Sequence, residues 1–168
     1  MFATQLKCVK CGKIHEIKPE YYNCAACGNI LDVQYDYEKL KDEIDPRRIF
    51  RREVRSVWKY RELLPVRDSS MLVSLGEGGT PLHRCSKLGR VLGIVHLYVK
   101  DETRNPTNSF KDRPIAVAIS KAKEFGVTTV TSSSSGNARA SLSAYAAKAE
   151  LGCHIFVPCE TPQSKVAQ

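Results

Sequence analysis

The sequence predicts an α/β protein in which a small cysteine ribbon precedes an incomplete parallel α/β lobe. Two Cys-x-x-Cys pairs near the N-terminus, Cys8/Cys11 and Cys24/Cys27, mark the ribbon. From about residue 66 onward, β-branched runs alternate with helical patterns, the order expected of a parallel sheet with right-handed crossovers. Between the two lies a stretch with helical spacing. The expected organisation is a ribbon over residues 1–35, a helical connector over 36–65, and an α/β lobe over 66–168.

Taken in order, residues 1–35 are rich in cysteine, glycine and tyrosine and read as hairpins closed by tight turns. In the connector, Phe50, Val54, Val57 and Trp58 fall on one helical face, while Arg47, Arg51, Arg55 and Lys59 share another. Residues 94–99 form a strand candidate. A helix is expected over 109–125, with Phe110, Ile115, Ala118, Ile119 and Ala122 as its apolar face and Gly126 as its stop. Residues 127–131 are β-branched and strand-like. An alanine-rich helix over 137–149 is closed by Gly152, and residues 153–157 form a further strand ahead of Pro158. The chain stops at Gln168 in what reads as the opening of another helix. An open parallel sheet needs more strands and covering helices than this, so a partial polypeptide is expected.

Composition narrows the class without choosing a function. With 42% hydrophobic and 26% charged residues, the chain can bury a core and is not of a disordered type. The opening residues lack the apolar core of a signal peptide, and no apolar run approaches the ~18–20 residues a membrane span requires. A cytoplasmic protein is expected. The net charge of +8 fits nucleic acid, an anionic ligand or simply a basic surface.

In such a compartment the paired cysteines point to metal rather than to disulfides. The pairs are separated by twelve residues, and a glycine, Gly12 or Gly28, follows each. Two such turns aim backbone amides at the sulfurs and set four thiolates tetrahedrally, which makes Cys8, Cys11, Cys24 and Cys27 the ligand set of a structural Zn²⁺ site. Iron in a rubredoxin-like site is the alternative metal, and a redox-active thiol pair is the alternative chemistry. A segment this short has little core of its own, so the metal would supply its folding free energy. His15 is expected to be solvated, because four thiolates already complete the site. Cys85, Cys153 and Cys159 lack partner spacing and read as ordinary buried thiols.

The second chemical signal is Lys111, within Asn105-Pro106-Thr107-Asn108-Ser109-Phe110-Lys111-Asp112-Arg113 at a predicted helix opening. A cation is electrostatically misplaced there, because the helix dipole favours anions. One reason for the placement is condensation with an anionic aldehyde cofactor, and pyridoxal phosphate is the obvious one. The dipole and Arg113 would lower the amine's pKa. Ser132 to Asn137 then joins a strand to the alanine-rich helix. Gly136 would allow close backbone approach there, and the helix N-terminus offers free N–H groups to a carboxylate. Read alone, the first segment is a surface lysine and the second a serine-rich linker. Together they fall at adjacent C-terminal strand edges, where open α/β sheets bind ligands. A third segment, Ser74 to Leu82, is a glycine-rich turn without the Gly-Lys-Ser/Thr ending of a nucleotide loop.

These segments, in this order, resemble the N-terminal part of threonine synthases, fold-type II enzymes that use pyridoxal phosphate. The matching stretches run from Trp58 to Val66, from Leu75 to Leu82, from Lys100-Asp101-Glu102 through Ser109-Phe110-Lys111-Asp112-Arg113, and from Ser134 to Asn137, with Ala144-Tyr145-Ala146-Ala147. An N-terminal cysteine ribbon also occurs in some members. The resemblance implies that Lys111 holds the cofactor and moves protons at substrate Cα and beyond. It implies that Asn137 hydrogen-bonds the cofactor's 3′-oxygen and that Ser134, Ser135 and Gly136 hold the substrate carboxylate. The implied reaction is conversion of O-phosphohomoserine and water to threonine and phosphate, by a homodimer when the chain is full length. Two positions depart from the family pattern. Asn108 stands where glycine is common, and Ala138 where threonine is common. The cofactor-phosphate loop and the pyridine-nitrogen partner are expected beyond these residues, so this stretch alone would bind the cofactor poorly.

Other readings stay open. A cysteate synthase-like or threonine dehydratase-like enzyme would use the same lysine. A zinc-ribbon module that binds nucleic acid through Arg47, Arg51, Arg55 and Lys59 is the alternative of a different class, less favoured because charge runs are usually solvated faces.

Overall fold

The computed structural model describes residues 2–134 and 136–163. The ribbon is a three-stranded antiparallel sheet in the order β2-β1-β3, built from β1 (Ala3–Cys8), β2 (Ile14–His15) and β3 (Leu31–Tyr35). Both cysteine knuckles fold back by the same bond. Gly12 donates its N–H to the Cys8 carbonyl at 3.0 Å, and Gly28 donates to that of Cys24 at 2.8 Å. The shared geometry follows from the shared Cys-x-x-Cys-Gly spacing.

The connector is less regular than its spacing suggests. It consists of α1 (Tyr37–Glu43), α2 (Pro46–Arg51) and a kinked 3₁₀ segment, Val57–Leu63. Pro46 opens α2 behind Asp45, whose side chain accepts the Arg47 N–H at 2.9 Å. Extended backbone at Arg52 ends α2, so the four apolar residues never share a face. Trp58 is buried, but Phe50 is 68% exposed and Val54 48% exposed, which corrects the single apolar stripe. Trp58 anchors the segment by donating its indole N–H to the Val73 carbonyl at 3.1 Å.

The lobe begins with β4 (Leu82–Arg84), α3 (Ser86–Leu92) and β5 (Tyr98–Lys100). β4 and β5 pair antiparallel, so the alternating strand–helix pattern does not make every pair parallel. Residues 94–97, expected as strand, form the approach to β5 instead. Next come α4 (Asp112–Glu124), β6 (Thr129–Ser132), α5 (Asn137–Lys148) and β7 (Gly152–Ile155). β6 and β7 are parallel, in register from Thr129 against Gly152 to Ser132 against Ile155.

The core forms where α4 and α5 pack together beneath the connector. Ala116 and Ile119 of α4 meet Leu142, Tyr145 and Ala146 of α5, with Trp58, Val66 and Val73 closing the cluster. α4 starts three residues later than expected, which leaves Phe110 outside the helix and 54% exposed. Ala118 also faces out, and the buried stripe is Asp112, Ala116, Ile119 and Ser120. A buried polar bond joins the layers. The Val73 N–H donates to Ser120 Oγ at 2.8 Å, while that hydroxyl donates to the Ala116 carbonyl at 2.7 Å. Among the described residues no helix is long and apolar enough to cross a membrane.

Candidate active site and metal centre

In the ribbon, the four cysteine sulfurs lie within 4.8 Å of one another. Cys8 and Cys27 Sγ are 3.5 Å apart, as are Cys27 and Cys11, and Cys11 and Cys24 are 3.6 Å apart. Thiolates placed tetrahedrally around zinc at its usual bond length stand about 3.8 Å apart, so the donor set fits such an ion. Cys8 accepts backbone N–H bonds from Lys10 at 3.4 Å and Cys11 at 3.5 Å. The Cys11 amide leads in drawing the Cys8 thiol down to about 6, whereas, against the pull of the Asn29 amide, contacts with Cys8 and Cys11 push the Cys27 thiol up to about 12.

His15 is not solvated. It is buried, its ring lies 5.0 Å from that of Tyr21, and its Nε2 lies 3.4 Å from Cys24 Sγ. It flanks the cluster as a hydrogen-bond partner of one thiol. The other cysteines also differ from expectation, since Cys85 and Cys153 are half-buried and Cys159 is exposed.

Lys111 immediately precedes α4. Its backbone is fixed on both sides: its N–H donates to Ser109 Oγ at 3.2 Å, and its carbonyl accepts the Ile115 N–H at 3.1 Å. Asp112, fully buried, accepts the Thr107 N–H at 2.7 Å and the Thr107 hydroxyl, which ties the preceding loop to the helix. Asn108 adopts φ +57°, the left-handed conformation where glycine is the default residue and asparagine is among the tolerated ones. The lysine side chain is half-exposed, with Nζ 4.7 Å from the Phe110 ring centroid.

Arg113, expected to act on Lys111, is turned to a different partner. It grips Glu102 as a fork, Nε donating to Oε2 at 2.8 Å and Nη2 to Oε1 at 2.7 Å. Glu102 also accepts the Thr80 hydroxyl at 2.7 Å and Asn105 Nδ2 at 2.9 Å. Asn105 Oδ1 in turn accepts the Gly78 N–H at 2.9 Å. One carboxylate therefore joins three loops: the glycine-rich turn, the segment before Lys111, and the start of α4. The Arg113 hydrogen bonds, reinforced by those of Thr80 and Asn105, outweigh burial and hold the Glu102 carboxyl down at about 2.

The glycine-rich turn is shaped by close approach. At Gly79, with φ +58°, a Cβ would sit 2.6 Å from the Arg55 carbonyl oxygen, so the turn packs directly on connector backbone. Beneath it Glu77 is fully buried. Its carboxylate accepts the Tyr145 hydroxyl of α5 at 2.7 Å, the Leu75 N–H at 3.0 Å, and the Ser74 hydroxyl. Burial and the neighbouring Glu77 push the Tyr145 phenol up, which keeps it a donor.

Ser134, Gly136 and Asn137 form the entry to α5, with Ser134 half-buried and the other two exposed. Ser135 lies outside the described residues. Gly136 donates its N–H to Ser134 Oγ at 3.2 Å, and among the described residues no side chain caps α5. In that first turn the Arg139 N–H already turns back to the Gly136 carbonyl at 3.0 Å, which leaves the N–H groups of Asn137 and Ala138 without a partner among the described residues. Short loops join α4 to β6 and α5 to β7, and β6 and β7 are parallel, so both helices begin at the C-terminal edge of that pair. Lys111 and Asn137 open those two helices and belong to the same edge. On α5, Arg139 is buried, and its Nη2 has no partner among the described residues. Nothing in an alanine-rich stretch signals a buried arginine.

The primary amine ahead of α4 and the serine and asparagine side chains at the start of α5 are groups of the kind that an anionic carbonyl cofactor requires. A family model described as pyridoxal-phosphate dependent enzyme matches residues 73–168, and the chain belongs to that family. Among curated proteins it is 47% identical over 152 residues to the threonine synthase of Methanocaldococcus jannaschii, covering 90% of this chain and 37% of the relative. To the threonine synthase of Methanosarcina acetivorans it is 44% identical over 164 residues, covering 97% of this chain and 39% of the relative. To that of Halalkalibacterium halodurans it is 46% identical over 100 residues, covering 60% of this chain and 28% of the relative. The chain thus spans well under half the length of these relatives.

Proposed function

We propose that this chain is the N-terminal part of a threonine synthase, converting O-phosphohomoserine and water to threonine and phosphate with pyridoxal phosphate. The observation that carries the reading is the 47% identity to a threonine synthase across 90% of this chain. When bound, the cofactor supplies an electron sink for negative charge that develops on substrate carbons. Lys111 is the residue that holds it, and its free amine accepts and returns protons at substrate Cα and the carbon beyond. The clamp of Ser109, Asp112 and Thr107 fixes the lysine backbone and leaves the side chain free to swing. Asn137 hydrogen-bonds the cofactor's ring oxygen. Ser134, Ser135 and Gly136 hold the substrate carboxylate against the uncapped start of α5, where the helix dipole favours an anion.

The three-part organisation follows the same reading. Residues 1–35 form a zinc-stabilised ribbon, 36–65 a connector, and 66–168 the first portion of the cofactor-binding lobe of a cytoplasmic homodimer. Ala138, where threonine is common, removes a hydroxyl from the first turn of α5 but none of the donors named above.

The test uses the protein at its full natural length, reconstituted with cofactor. Phosphate release and threonine formation from O-phosphohomoserine are expected. Lys111→Ala should abolish the visible absorbance of lysine-bound cofactor and cut turnover by at least ~10²–10⁴-fold, the range for losing a positioned proton-transfer group. Retention of both in Lys111→Ala would refute the assignment, and turnover of a different amino-acid substrate alone would refute the reaction.

A further inference from the structure

A cavity of about 770 Å³ opens between the connector and the glycine-rich turn, and its wall carries Arg52, Arg55, Lys59, Lys100 and Arg113 with a single acid, Glu53. We propose that this cavity is a binding site for a phosphate dianion, free or esterified.

Several of the cations are held in place by bonds that leave donors to spare. Arg52 is fixed by Glu62, at 2.6 and 2.7 Å, and by the Lys59 carbonyl at 2.9 Å; these bonds engage Nη1 and Nη2 and leave Nε free of them. Arg113 is fixed through Nε and Nη2 by Glu102 and Thr80, while its Nη1 lies over Gly78, 3.1 Å from where a Cβ there would sit. Lys59 donates to the Phe50 carbonyl at 3.0 Å and Lys100 to that of Thr80, each by one of three ammonium protons.

Charge points to the same ligand. Even with Glu62 and Glu102 counted beside Glu53, five cations face three carboxylates, and two positive charges remain unanswered. Arg55, Lys59 and Lys100 make no ion pair among the described residues. Like charges gathered in a concave wall repel one another, and a dianion relieves that repulsion while accepting the spare donors. Guanidinium donors flanked by ammonium groups suit phosphate oxygens in particular. A duplex or single strand would need a continuous basic track, whereas these charges converge on one hollow. Occupancy does not require the reaction proposed above, although Arg113 also belongs to the network beside Lys111.

Isothermal titration of the cofactor-loaded full-length protein tests the site. Inorganic phosphate and methyl phosphate, an ester with no amino-acid part to react, are titrated separately, at constant ionic strength set by chloride, into wild type and Lys59→Met/Lys100→Met. The double variant keeps the aliphatic stems and is expected to bind at least ~10-fold more weakly, the scale of losing charge-assisted bonds. Lys59→Arg/Lys100→Arg should restore binding, and Arg48→Met, outside the cavity, should leave it unchanged. A loss confined to free phosphate identifies the free anion as occupant, and a loss confined to the ester identifies an esterified one. Undiminished affinity of the double variant for both ligands, or equal binding of chloride, would overturn the proposal.

Discussion

Replacing Glu102 by glutamine removes one negative charge from the junction of three loops and changes little else in shape. The carboxyl is lowered from an ordinary 4.5 to about 2, chiefly by the Arg113 fork and with help from Thr80 and Asn105, while burial opposes the shift. A difference of that size between unfolded and folded states corresponds to about 3 kcal/mol of stability. Since the side chain is 27% exposed, solvent screening trims this to about 2 kcal/mol. In a chain of this length that is a fall of roughly 4–8 °C in melting temperature. The direction with pH follows from the depressed value. The contribution is complete above pH ~4.5, where the carboxylate is charged in both states. Below that the unfolded chain takes up the proton first, and the contribution disappears as the pH approaches 2. Glu102→Gln cannot titrate there, so the gap between the two proteins should be widest above pH 5 and close toward pH 2–3. Urea unfolding followed by circular dichroism at several pH values measures the gap. A gap under about 0.5 kcal/mol at neutral pH, within the range of an inert surface change, would refute the reasoning, as would one that stays constant down to pH 3.

Two further outcomes follow from local geometry. Asn108→Gly should be neutral or stabilising by up to about 1 kcal/mol, whereas Asn108→Val, a β-branched residue at φ +57°, should cost about 1–2 kcal/mol in chemical denaturation; equal stability of the two variants would contradict the left-handed assignment. In the ribbon, Co²⁺ titration should show one ion per chain with thiolate charge-transfer absorption. His15→Ala should weaken binding within the ~10–100-fold typical of outer-shell partners and Cys24→Ser by more, and an unchanged spectrum in Cys24→Ser would exclude a four-thiolate site.

The parts legible in the sequence are those whose chemistry is local. Cys8, Cys11, Cys24 and Cys27 declare themselves by spacing, because each knuckle closes on its own glycine. The end of α4 at Gly126 and the strand after it follow from punctuation and β-branching, whereas β7 starts at Gly152, the residue expected to close the helix before it. What escaped depends on partners far along the chain. Tyr145 reads as one more apolar residue of an alanine-rich helix until Glu77, sixty-eight positions earlier, appears beneath the glycine-rich turn. The connector misled for a related reason: helical spacing over 50–58 ignores the extended backbone at Arg52, so Phe50 and Val54 leave the face that Trp58 occupies. His15 was misplaced because burial beside Cys24 depends on how the ribbon closes over it.

The misreading of Arg113 says most about how the site works. Two residues from Lys111, it reads as a charge meant to tune the amine, and its geometry gives it another task. By spending Nε and Nη2 on Glu102 and Thr80, it ties α4 to the glycine-rich turn and to the segment before Lys111. Under the function proposed for Lys111, holding a cofactor and carrying protons calls for a mobile side chain on immobile backbone. Apolar packing is poorly suited to that end of the helix, because a ligand site must stay open to polar groups. The load is carried by hydrogen bonds to buried or half-buried carboxylates: Asp112 under Thr107, Glu102 under Arg113, and Glu77 under Tyr145. Each of these acids lies within one of the segments that carry the family resemblance or directly beside it. Read along the chain they look like surface charges; in the fold they are the internal struts of the site.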